Sequence, residues 1–474
     1  LGHVNGLYNG VQRRAINKML MLFSGDDKTK ILRAVRFAEM LTPDAHKKAV
    51  RLVRSKIEND HPALELIRRV GTRVSPACRE RLIEAVLVND LLRGSAKRTR
   101  LFEKTGNMAP TTILVSPSMR CNLTCEGCYA AEYSPESDLD PALLQRIVDE
   151  GNEMGVYLFT LLGGEPFLYK GLLEFAQENR DSFFQVFTNG TMLTDTLIER
   201  MAVIGNLAPM VSIDGPRELT EWRRGPGVYE RVMSVMGKLG QAGVPFGYSA
   251  TVTSRNYKTL VSDEFVDPLV DKGAMLAWHF LYMPIGRDPS VELMPTPSQR
   301  EEFRQGILRI RDTKPLFAVD FWGDAPWVGG CIAGRHYVHI TSEGWVEPCI
   351  FTHFATDNIK NTSLVEAFNS PYFREIRSRQ PYNENLLMPC MWIDNPTESR
   401  EIMAITGARP THEGADSMLV DLQEELDAYS VEAAQVLATA WSCMRKDGHM
   451  GHRTTEGRRV PVQEPEGSLT SAGR

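Results

Sequence analysis

"TTILVSPSMRCNLTCEGCYA", residues 111–130, decides how the rest of this 474-residue chain is read. It opens on a short apolar run of strand character, and three of the chain's eight cysteines follow it, Cys121, Cys125 and Cys128. From Thr112 onward, runs of this kind alternate with amphipathic stretches. "VYLFTLL" (156–162), "FFQVFT" (183–188), "MVSID" (210–214), "FGYSATV" (246–252) and "LAWHFLYM" (276–283) read as further strands. The segments between them read as helices, several ending at glycine. Repeated β-α units imply a parallel α/β sheet, and six of them curve into a partial (β/α)6 barrel with its functional groups at the carboxyl ends of the strands. The cysteine stretch follows the first strand, where such a site belongs.

Around this centre the chain divides into a helical N-terminal region (1–110), the barrel (111–300), a connecting helix with a smaller cysteine-bearing region (301–400), a C-terminal helical region (401–446) and a tail (447–474) of disordered composition. "VQRRAINKMLMLF" (11–23) has the pattern of a basic amphipathic helix, which fits either packing on a domain or peripheral contact with an anionic membrane. Composition is 42% hydrophobic and 24% charged, and no uninterrupted apolar run is long enough to span a bilayer. The chain reads as cytoplasmic, with membrane contact at most peripheral. A formal charge of −6 argues against charge-driven nucleic-acid binding. Eight cysteines in this length are too sparse for a disulfide scaffold, and their clustering favours metal ligation.

Structural zinc takes four protein ligands, commonly in two close pairs. Cys121, Cys125 and Cys128 have no fourth local Cys or His. A [4Fe–4S] cube on three thiolates leaves one iron open to a small molecule. On this spacing the sequence resembles the radical S-adenosylmethionine (SAM) superfamily. The resemblance implies that a [4Fe–4S] cluster cleaves SAM reductively to a 5′-deoxyadenosyl radical, which abstracts hydrogen from a substrate. Further positions fit in order at successive strand ends. "GGEP" (Gly163, Gly164, Glu165, Pro166) corresponds to the segment that meets the SAM amino group. Thr188 and Asn189 of "FTNGT", Ser212 and Asp214 of "SIDGP", and Val252 on the fifth strand correspond to further SAM contacts. Where many members carry an aromatic residue before the third cysteine, this chain has Gly127; Tyr129 is the aromatic residue expected to stand in for it.

A second set, Cys331, Cys349 and Cys390, surrounds "YVHITSEGWVEPC", which reads as a hairpin turning at Gly344. With "DNI" and "SLVEAFNSPYFREIR" after it, this part resembles the SPASM or twitch extension, a small α+β unit followed here by a helix. That implies an auxiliary [4Fe–4S] cluster, whose fourth ligand is Asp394, Cys443 or an open position. Three unrelated buried cysteines, or a zinc site completed by His353, are the alternatives weighed.

His279, Tyr282 and Arg287, at or after the sixth strand, face either the substrate or the core. The resemblance also implies an electron donor such as flavodoxin or ferredoxin. A lipid, membrane-associated or small-metabolite substrate is slightly favoured, because the N-terminal region looks too helical for a leader-peptide-binding domain. A peptide maturase is the second reading, and a non-catalytic zinc-stabilised regulator the third.

Overall fold

Nine strands form one sheet: β1 (Thr112–Ser118), β2 (Leu158–Gly163), β3 (Phe183–Thr188), β4 (Leu207–Ser212), β5 (Gly247–Val252), β6 (Leu276–Leu281), β7 (Phe317–Asp320), β8 (Tyr337–Ile340) and β9 (Val346–Glu347). They are seen in a computed structural model that describes residues 27–41 and 44–446. The order is β7-β6-β5-β4-β3-β2-β1-β8-β9, and every pair but β8–β9 is parallel. The six expected strands lie in sequence order. Their connecting helices start and stop by local chemistry. Asp140 caps Pro141–Met154 by accepting from the Ala142 and Leu143 amides (2.9 and 3.2 Å), and Gly155 ends that helix in the left-handed conformation.

Among the described residues, no backbone ladder closes the sheet into a full barrel. It curls far enough, however, for Phe321, just past β7, to meet Tyr337 of β8 edge-on at 6.1 Å between ring centroids. The alternation of side chains then divides the strands. Ile113, Phe159, Phe184 and Val211 pack under the helices in the main core, while Leu114, Thr160, Gln185 and Ser212 line the interior.

The described N-terminal residues are helical, as expected. Helix Leu82–Gly94 closes the floor of the barrel, where Ala85 joins Phe183, Ala208 and Met210 in a buried apolar cluster. The basic stretch 11–23 and the tail 447–474 lie outside the described residues. Among the described residues, no helix is long and apolar enough to cross a membrane.

The expected hairpin is β8–β9. Its attachment is not a local property of the sequence: β8 pairs in parallel with β1, so the extension continues the barrel sheet. Strand β7 and a small antiparallel pair, β10 (Phe354–Ala355) with β11 (Arg409–Pro410), are additions to the sequence reading. The long C-terminal helix, Gln423–Lys446, docks through Leu437 and Trp441 against Leu387 and Met388.

Candidate active site

The loop after β1 carries Cys121, exposed, with Cys125 and Cys128 half-buried. Neighbouring strand ends hold it from two sides. The Arg287 amide donates to the Cys128 carbonyl (3.1 Å) and its guanidinium to the Cys125 carbonyl (3.2 Å). The Gly164 and Glu165 amides donate to the Ser118 and Arg120 carbonyls at 3.1 and 2.8 Å. This approach explains the two glycines. A Cβ on Gly163, at φ +113°, would stand 2.4 Å from the Ser118 oxygen, and one on Gly164 would stand 2.3 Å from the Arg120 oxygen.

Glu165 is fully buried behind this loop. It accepts from the Phe167 amide (3.0 Å), the Thr188 hydroxyl (2.8 Å) and the Asn189 amide (2.8 Å). Burial pushes its carboxyl up to about 7, further than these donors pull it down. Asn189 reaches the cysteine loop directly, with its Nδ2 2.9 Å from Asn122 Oδ1 and 3.8 Å from Cys121 Sγ. Gly163, Gly164, Glu165, Thr188 and Asn189 therefore come together beside the three thiols.

Several other expected residues stand elsewhere. Asp214 is buried beneath the site and committed to Arg224 (2.6 Å), Arg223 (3.2 Å) and the Thr251 amide (2.9 Å). Burial would raise its carboxyl, but the two guanidiniums outweigh it and hold the group below the usual range. Arg223 and Arg224 are the residues of this group that reach the cavity, and the sequence reading missed them. Ser212 does line the cavity, 3.2 Å from Ser249. The Val252 side chain points into the core beside Ala250, and Ser249 and Thr251, on the other face of β5, line the cavity instead. His279 also points outward, between Tyr248 and Phe303, where burial pulls its imidazole down to about 4; on the opposite face of β6, Trp278 and Phe280 look inward. Tyr129 lines the cavity but leans on Phe351 of the extension (5.6 Å). The ring that covers Gly127 belongs to Tyr282, for which the sequence left substrate and core both open; it is buried and borders the cavity.

The second set shares one neighbourhood, although among the described residues no three Cys, His, Asp or Glu side chains close to metal-binding distance. Cys331, Cys349 and Cys390 lie close enough to act on one another electrostatically, and burial pushes each thiol up to about 12. A bound metal reverses that shift, because coordination deprotonates a thiol. Tyr337 donates to Cys349 Sγ (2.8 Å), and the Trp392 amide to Cys390 Sγ (3.4 Å). Of the proposed fourth ligands, Asp394 is locked in a buried pair with Arg300 (2.6 Å) and accepts from the Cys390 amide (3.0 Å). Cys443 is exposed on the C-terminal helix. His353, the zinc alternative, is held between the Ile350 carbonyl and His412 (2.9 and 2.7 Å).

Between the cysteine loop and the barrel floor is a cavity of about 480 Å³. Thiols at the mouth of an open parallel barrel, with a second thiol group beside the same sheet, are the plan of an iron–sulfur radical enzyme. Residues 115–257 match the family model of the radical SAM superfamily, and residues 331–391 match that of an iron–sulfur cluster-binding domain, SPASM. The chain carries a radical SAM domain and a SPASM domain, and it is an enzyme. Its cofactors are a [4Fe–4S] cluster with SAM and auxiliary iron–sulfur. The AdoMet-dependent heme synthase of Methanosarcina barkeri is 28% identical, over 57% of this chain and 85% of that protein. The PqqA peptide cyclase of Gluconobacter oxydans is 24% identical, over 56% and 79%. Streptococcus suis SuiB bound to S-adenosylmethionine shares the fold at TM-score 0.53 and 19% identity, over 64% of this chain and 77% of that one.

Proposed function

We propose that Cys121, Cys125 and Cys128 hold the SAM-binding cluster, with Gly163, Gly164, Glu165, Thr188, Asn189 and Ser212 around SAM. Cys331, Cys349 and Cys390 hold one auxiliary cluster. The observation that carries this reading is the seating of the three-thiol loop on Gly163 and Gly164, directly above a closed-floored cavity. A side chain at either glycine would displace the loop, and the buried Glu165 carboxylate suits an ammonium partner. When bound, the reduced cluster with SAM supplies a radical that takes a hydrogen atom, and the auxiliary cluster supplies a second redox centre. The protein's own part is positional. Asn189 and Arg287 fix the loop, Asp214 orients Arg223 and Arg224, and the barrel walls keep water from the reacting carbon.

Asp394 is committed to Arg300 and Cys443 stands exposed on the C-terminal helix, which supports an open fourth position on the auxiliary cluster. An electron donor of the flavodoxin or ferredoxin type delivers the electron. The substrate enters the barrel cavity, and a small metabolite suits this enclosed space. Peptide maturation is the second reading, favoured by relatives such as the peptide cyclase and the Bacillus subtilis sporulation killing factor maturation protein SkfB (26% identical).

The test is iron and sulfide per chain after anaerobic reconstitution, with 5′-deoxyadenosine release under dithionite. About eight irons, falling to about four in the Cys121/Cys125/Cys128 triple-Ala protein with loss of SAM cleavage, supports both cluster assignments. Zinc in place of iron in the wild type would overturn them.

A further inference from the structure

The three charged side chains that line the cavity, Arg223, Arg224 and Arg287, are all tied to Asp214 or to the cysteine loop. Below them, the chamber between the cofactor-side strand ends and the floor has a different character. One wall is aromatic: Trp278 and Phe280 stack at 5.8 Å and 6° between planes, Phe321 meets Phe280 at 5.2 Å, and Phe187 meets it at 5.9 Å. The floor is Phe183, Ala208 and Met210 over Ala85. Among the described residues, no Asp, Glu, Lys or His lines this space.

Set into these apolar walls is a pair of polar side chains. Thr160 of β2 and Gln185 of β3 are register partners on adjacent parallel strands, and both line the cavity. Among the described residues neither side chain has a hydrogen-bond partner in the protein, and neither is sealed from the cavity. An amide and a hydroxyl each both donate and accept, so together they match a neutral carbonyl, amide or hydroxyl. They offer no counter-ion. An ion brought into this chamber would lose its hydration without compensation.

We infer that the part of the substrate held for reaction is uncharged. It is an apolar or aromatic group against Phe187, Trp278 and Phe280, bearing one neutral hydrogen-bonding function that Thr160 and Gln185 read. The inference rests on the radical SAM reading of the site above it. Gln185 is a specificity-determining residue, and a charged group of the substrate stays at the cavity mouth or outside.

The test uses the anaerobically reconstituted full chain with saturating SAM. Three matched probes, 3-phenylpropanamide, 3-phenylpropanoate and 3-phenylpropylammonium, are titrated by equilibrium dialysis. The expected result is that the amide binds at least about tenfold more tightly than either ion. Gln185→Leu removes that preference, and Gln185→Glu, of nearly the same shape, turns it toward the ammonium probe. Equal binding of an ion and the amide by the wild type, no binding of any probe, or an unchanged ranking in both variants overturns the inference. Iron content and 5′-deoxyadenosine release are read on the same samples. A protein that cleaves SAM but does not rank the probes refutes this inference alone, and one without iron refutes the reading beneath it.

Discussion

Gly127 and Tyr282 occupy one another's space: a Cβ on Gly127 would lie 2.4 Å from Tyr282 Cε2. The ring is buried, and its hydroxyl accepts from the Ser290 amide (3.2 Å). Gly127 is also left-handed, at φ +57°. Thus a ring from just past β6 reaches across the barrel to Gly127, and the loop has a glycine because the ring is there. Gly127→Ala is expected to destabilise by about 1–3 kcal/mol and to lower cluster occupancy. In a Tyr282→Ala background the same substitution costs less, the remainder being the left-handed backbone at about 1 kcal/mol. Denaturant midpoints for the four proteins of this cycle measure the coupling. Strict additivity would mean that the two residues do not compete.

Glu165 gives SAM affinity a pH dependence of definite sign. Burial holds its carboxyl near 7, so at pH 6 it is largely protonated and at pH 8 ionised. Only the ionised form pairs with an ammonium, so affinity rises from pH 6 toward pH 8 and turns down above it, where the α-amino group of free SAM loses its proton. Stability of the SAM-free protein moves the other way. The raised carboxyl favours the fold below its unfolded value, and that contribution is lost as pH rises through about 7. Glu165→Gln should flatten the affinity profile while leaving the iron content of the protein intact. Calorimetric titration of SAM across this range checks both statements, and a flat wild-type profile would remove Glu165 from the ammonium role.

The two cysteine sets are expected to separate cleanly. Cys125→Ala abolishes SAM cleavage. Cys349→Ala preserves cleavage, loses about four irons and impairs substrate turnover, because its cluster is not the one that binds SAM. Iron per chain and 5′-deoxyadenosine release on the two variants decide this, and cleavage by Cys125→Ala would end the assignment.

Much of this was legible because chemistry tied to strand ends leaves local signatures. The six barrel strands follow from period and spacing, while "GGEP" and the two cysteine sets were read through the family that their motifs resemble. Three things could be read in neither way. In "LAWHFL" every residue is apolar or aromatic, so the pattern does not say whether His279 or Trp278 faces inward; the register with β5 and β7 sets that parity. The β8–β1 pairing joins segments more than 200 positions apart, and β7 has only four residues. Asp214 looked like a ligand group because its motif stands at a strand end. Its partners, Arg223 and Arg224, lie on the following helix, where a sequence reads as ordinary surface charge.

Arg300 and Asp394 form a buried pair beside Cys390, with 5% and 0% of their side chains exposed. The carboxylate is fully used, by the guanidinium on one side and the Cys390 amide on the other. If Asp394 served the auxiliary cluster as a ligand, Asp394→Asn would release iron. On the geometry, Asp394→Asn keeps its iron and loses stability, because Arg300 stays buried with its charge uncompensated. Breaking such a pair costs about 3–5 kcal/mol. Replacing both residues, as Arg300→Met with Asp394→Asn, removes the orphaned charge and should recover part of that loss. Iron per chain and thermal midpoints on the two variants read the roles apart. Loss of about four irons in the single variant would reinstate Asp394 as the fourth ligand.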